Sequence, residues 1–92
     1  MTITDQQLKD IEAWAELLFT VEQVAHLLEV PADKFLLEYQ TKGKVYASYQ
    51  RGFLRTEAEV RKSEITLAKQ GSSQAQEGVK AIIANVRSIN PE

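Results

Sequence analysis

The sequence predicts an all-α fold: an N-terminal helix-turn-helix unit of three helices followed by a helical hairpin. Three observations carry this. Apolar residues recur at helical spacing along the whole chain, with no alternating run that would suggest a strand. The start signal Thr-x-x-Gln occurs twice, at Thr4 and Thr20. The segment Thr20–Tyr39, TVEQVAHLLEVPADKFLLEY, reads as a capped short helix, a tight break and a second short helix. The expected division is residues 1–41 for the helix-turn-helix domain and 42–92 for a helical oligomerisation segment.

The elements follow in order. Thr4 and Gln7 open a first helix over about Asp5–Leu18, with Leu8, Ile11, Trp14, Ala15 and Leu18 as its apolar stripe. Thr20 and Gln23 open the second, whose stripe is Val21, Val24, Ala25 and Leu28. Val30-Pro31 ends it, because a residue before proline avoids the α region. A third helix starts near Ala32 with Phe35, Leu36 and Tyr39 as buried candidates. With a break of about three residues, these two helices must cross sharply. Gln40–Lys44 is a polar loop with Gly43 as its turn or cap residue. A long helix follows over about Val45–Gln70. Gly52 within it marks a bend, a close helix contact or a boundary between two shorter helices. Gly71 ends that helix, Ser72-Ser73 caps the next, and Ala75, Val79, Ile82, Ile83 and Val86 form the last stripe. Asn90-Pro91-Glu92 reads as a frayed end.

Ninety-two residues make one small domain, or one with a helical appendage, so oligomerisation is a natural supplement to a limited core. There is no cysteine, hence no disulfide or thiolate metal site. No apolar stretch approaches the roughly 20 residues of a membrane span, and MTITDQQ is not a signal sequence; the expectation is a soluble cytoplasmic protein without membrane contact. The net charge of −2 hides an asymmetry: residues 1–41 hold eight acids and two bases, residues 42–92 nine bases and five acids. Such polarity marks a nucleic-acid surface or a self-complementary assembly surface, and equally describes plain solvated faces.

The segment Gln40–Thr56 has Lys42, Lys44, Arg51 and Arg55 and no acid. Arg51 and Arg55 are four apart and share one helical face. Four cations without a local acid suit phosphate contacts and steep salt dependence, although a run of charge is also what a solvated face looks like. Tyr39, Tyr46 and Tyr49 lie nearby, as core residues or stacking platforms. The third helix is a poor reader of base edges, since Asp33 and Glu38 repel phosphates and only Lys34 and Gln40 are donors. Glu29 stands where many helix-turn-helix proteins have glycine, which suits a turn that avoids a positive φ. Glu57 and Arg61 form an i,i+4 pair on an exposed helix face or the flank of an interface. Catalysis has no foothold: His26 is the only histidine, no carboxylate pair sits in an apolar context, and no phosphate-binding glycine loop is present. Neither a metal nor a cofactor is expected, and the chain is read as a non-enzyme.

The order of features resembles phage terminase small subunits. The resemblance covers about Leu17–Asn85. LLFTVEQVAHLLEVPADKF is similar to that family's helix-turn-helix, and YASYQRGFLRTEAEVRKSEITLAKQGSSQAQEGVKAII to its charged helix followed by a short Ala-rich one. Leu67–Ala75 is the most recognisable piece. The resemblance implies a homo-oligomer, such as a ring, that binds double-stranded viral DNA and regulates the terminase large subunit, an ATPase-nuclease. It implies Lys34, Lys42 and Lys44 as DNA contacts, with Arg51 and Arg55 as additions; Gln40, the other donor of the third helix, completes the expected DNA-binding set. It implies subunit contacts along Tyr49, Phe53, Val60 and Ile65, and along Val79, Ile82, Ile83 and Val86. The chain departs from the family in its acidic third helix, in Glu29, and in having no long tail after the last stripe. A helix-turn-helix transcriptional regulator and a helical protein–protein adaptor that binds no DNA are the alternatives.

Overall fold

The computed structural model describes residues 1–90; Pro91 and Glu92, part of the expected frayed end, lie outside the described residues. The described chain is all-helical: α1 Asp5–Glu16, α2 Val21–Leu28, α3 Ala32–Gln40, α4 Lys44–Lys69 and α5 Ser73–Ile89, with no strand among the described residues. None of these helices is long and apolar enough to cross a membrane. The chain forms two compact units, the first ending at Glu57 and the second beginning at Ala58, so the division falls within α4.

Both Thr-x-x-Gln signals form complete capping boxes. The Gln7 and Gln23 backbone N–H groups donate to the Thr4 and Thr20 hydroxyls at 3.1 Å. The Thr4 and Thr20 N–H groups donate back to the glutamine side chains at 2.9 Å. Each box satisfies two N–H groups that the helix itself leaves unpaired.

The helix ends are less conventional. At the end of α1, Leu18 N–H donates to Ala15 O at 2.9 Å and Phe19 N–H to Trp14 O at 3.4 Å. At the end of α2, Glu29 N–H donates to His26 O and Val30 N–H to Ala25 O, both at 3.1 Å. At the end of α4, Gly71 N–H donates to Ala68 O and Ser72 N–H to Leu67 O, both at 3.1 Å. This is one closure used three times, and it requires a left-handed residue at its centre. Only the last supplies glycine; Leu18 has φ 66° and Glu29 has φ 60°. The first helix therefore stops two residues before the sequence suggested, because Leu18 turns the chain. The turn after α2 does not avoid a positive φ. Glu29→Gly is expected to raise the stability of the first unit by roughly 0.5–1 kcal/mol, the left-handed strain of a side chain less the extra freedom of unfolded glycine. Equal or lower stability in a urea titration would mean the turn is not left-handed in solution.

The core of the first unit draws on four helices. Ile11 and Ala15 come from α1, Val24 and Ala25 from α2, Phe35 from α3, and Val45 and Tyr49 from α4. The first turns of α4 present Val45, Ser48, Tyr49 and Gly52 inward, a stripe at helical spacing. The Tyr49 hydroxyl donates to the Phe19 carbonyl oxygen at 2.8 Å, and Gln50 Nε2 donates to the Tyr39 hydroxyl at 2.7 Å. α4 runs unbroken through Gly52, which rests against the backbone of Glu12; among the three readings of that glycine, it is a close helix contact.

In the second unit, Ser72 caps α5 by accepting from the Ala75 N–H at 3.2 Å. Ala75 is buried, Gly78 lies against the Glu64 carboxylate, and Gln76 Nε2 donates to Ala68 O at 3.1 Å. These contacts bring α5 against the last turns of α4. Much of the apolar stripe stays open: Val60, Leu67, Ile83, Val86 and Ile89 are all exposed.

Candidate nucleic-acid interface

The six residues read as DNA contacts fall into two groups. Lys34 projects from α3, Gln40 is the last residue of α3, Lys42 occupies the turn with φ 59°, and Lys44 opens α4. All four are exposed, and no ion pair engages any of the three lysines among the described residues. The Lys42 N–H donates to Tyr39 O at 3.1 Å and the Thr41 hydroxyl to Glu38 O at 2.6 Å, so the α3–α4 corner is tied back onto the end of α3. The two helices and this short turn keep the lysines close in sequence and fix the backbone that carries them.

Arg51 and Arg55 behave differently. Arg51 Nε donates to Glu12 Oε1 at 2.5 Å. One Arg55 terminal nitrogen donates to Glu12 Oε2 at 3.2 Å and to Glu16 Oε1 at 2.6 Å. The Arg51 guanidinium bonded to Glu12 holds that carboxyl below its usual value of 4.5; partial burial opposes this and Arg55 reinforces it. Glu16, and then Glu12, raise Arg55 above its ordinary value. The Thr56 hydroxyl donates to Glu16 O at 2.5 Å, closing the same α1–α4 seam. The segment that lacks acids in sequence is thus supplied with two by α1, some forty positions away. One signal for this was present: Glu12 and Glu16 are four apart, and so are Arg51 and Arg55. Two helices packed along those faces bring the pairs into register.

The tyrosines are built into the first unit. Tyr39 and Tyr46 stand 5.0 Å apart between ring centroids, Tyr39 meets Tyr49 edge-on at 5.5 Å, and Tyr49 stacks with Phe53 at 6.0 Å. Burial raises the Tyr49 phenol above its ordinary value. Of the residues read as subunit contacts, Tyr49 lies in this core and Phe53 packs against it half-buried. Val60, Ile65, Ile83 and Val86 are exposed, whereas Val79 and Ile82 are half-buried.

His26 is exposed on α2 beside Glu22, with 3.8 Å between Nε2 and the carboxylate. Among the described residues no three His, Cys, Asp or Glu side chains stand together as a metal cage. No protein-family model, curated protein or solved structure matches the chain.

Proposed function

We propose that this chain is a non-catalytic, oligomeric DNA-binding subunit of a viral DNA-packaging terminase, recognising viral DNA and regulating a large ATPase-nuclease subunit. The observation that carries the DNA part is the α3–α4 corner. Lys34, Lys42 and Lys44 are exposed there without an ion-pair partner among the described residues, and α3 follows the short helix α2 after a three-residue turn, the element order expected of a helix-turn-helix. Affinity comes from phosphate neutralisation by these lysines. Base readout by α3 is weak, because Asp33 is exposed on it and Lys34 and Gln40 are its only exposed polar donors with reach. The terminase assignment draws on the order of features along the chain. The assembly part draws on the open apolar stripe of the second unit, where Val60, Leu67, Ile83 and Val86 would meet neighbouring copies.

A protein–protein adaptor is the second reading, favoured by Leu36 and Leu37. They are 45% and 64% exposed on α3, where a groove-reading helix presents polar groups. Fluorescence anisotropy with labelled duplex DNA across a salt series separates the two. The DNA reading expects Lys34→Gln, Lys42→Gln and Lys44→Gln together to weaken binding and to flatten the salt slope by up to about three, roughly one for each phosphate left without its lysine. No binding by the unsubstituted protein at low salt leaves the adaptor reading, whereas binding with an unchanged slope in the triple variant means that these three lysines do not make the phosphate contacts.

A further inference from the structure

We infer that Arg51 and Arg55 form a phosphate subsite that Glu12 and Glu16 hold closed in the DNA-free protein. This rests on the DNA-binding reading and adds a second, gated set of cations to the lysines of the α3–α4 corner.

The geometry is that of an occupied anion site. Two guanidinium groups one helical turn apart face two carboxylates with the same spacing, and carboxylate and phosphate oxygens use the same guanidinium donors. The grip is partial. Arg51 donates through Nε alone, and Arg55 through one terminal nitrogen shared between two glutamates. Their remaining N–H groups meet no acceptor among the described residues. The Arg51 and Arg55 side chains are 57% and 49% exposed, and Glu12 and Glu16 are 26% and 37% exposed. All four therefore stand at the solvent boundary, where an ion pair contributes little net free energy and its members exchange partners readily.

A duplex backbone displaces the carboxylates without breaking the core, because Ile11 and Ala15 pack on the buried face of α1. The glutamates then turn to water. The exchange releases few counterions, since each arginine that gains a phosphate frees a carboxylate that gathers a cation. In the unsubstituted protein the pair thus adds little affinity and little salt dependence. Once the carboxylates are neutral, it adds both.

The test is duplex-DNA anisotropy across a salt series with the full chain. Glu12→Gln/Glu16→Gln is expected to tighten binding several-fold at low salt and to steepen the salt slope by up to about two. Asp5→Asn/Asp10→Asn makes the same change in net charge on α1 away from the arginines and is expected to give a smaller gain. Adding Arg51→Gln/Arg55→Gln removes the gain in the glutamine background, while the same arginine changes in the original background cost little. Circular dichroism melts confirm that each variant is folded, and the arginine Nε–H signals of the unsubstituted protein, followed by NMR on adding duplex, give a second readout. Movement of the Arg51 signal supports the gate. The gate is overturned if the two carboxylate pairs give equal gains, if the gain survives loss of both arginines, or if the Arg51 signal is unmoved by bound DNA. In those cases, a lysine triple variant that still weakens binding keeps the DNA reading intact. Absence of DNA binding by every variant at low salt overturns both.

Discussion

Phe35→Ala is expected to remove most or all of the stability of the first unit. Phe35 is fully buried and is the largest side chain shut off from solvent among the described residues, ahead of Ile11 and Val24. Truncating a buried phenylalanine costs about 3–5 kcal/mol, from the burial given up and from the void left behind. A domain of this size has only about 5–15 kcal/mol in total, and the core here is a single cluster of seven buried apolar residues. Trp14 is the only tryptophan and packs against that cluster, so its fluorescence reports this unit separately from the second. A urea titration should show the Trp14 transition moved to much lower denaturant, or no folded baseline. The comparison is Leu37→Ala, two residues on, where an exposed side chain predicts a change within about 0.5 kcal/mol. Similar losses at both positions would mean α3 does not present Phe35 inward as described.

That contrast also marks what the sequence could and could not convey. Capping is local chemistry: a threonine and a glutamine three residues apart need nothing from the rest of the chain, and both boxes form at the expected positions. The stripes of α1 and α2 followed from spacing for the same reason, except Leu18, which lies beyond the end of α1 and is exposed. The run Phe35-Leu36-Leu37 offers less guidance: Phe35 and Leu36 both read as buried candidates, but Leu36 is exposed, because three consecutive apolar residues point in three directions and only packing selects one. Helix ends escape a reading of the sequence where a left-handed residue is not glycine, since nothing in a leucine or a glutamate announces a positive φ. The site was half legible. The exposed lysines could be read as cations, but the pairing of Arg51 and Arg55 is a tertiary event between helices about forty positions apart. A segment without acids in sequence need not be without acids in space.

Gly52→Ala tests that tertiary seam most directly. A Cβ on Gly52 would stand 2.9 Å from the Glu12 carbonyl carbon and 3.1 Å from Ala15 Cβ, and closer still to the Glu12 carbonyl oxygen. The obstacle is helix backbone, which cannot rotate aside as a side chain can, so α1 and α4 must separate locally. Alanine gains about 1 kcal/mol in helix propensity, and overpacking of this kind costs about 1–3 kcal/mol or more. Contact with a fixed carbonyl puts this case at the upper end, for a net loss of about 2 kcal/mol and a fall in Tm of about 8–16 °C. Gly78→Ala shows how much the identity of the neighbour matters. There the Cβ meets only the end of the Glu64 side chain, which can swing away, so the propensity gain survives and stability should rise by up to about 1 kcal/mol. The expected signs are opposite for the same substitution in two helices. A Gly52→Ala protein as stable as the original would mean that α1 and α4 do not approach this closely. The Glu12–Arg51 and Glu16–Arg55 pairs would then lose their geometric basis, because the first lies at this contact and the second one turn further along both helices.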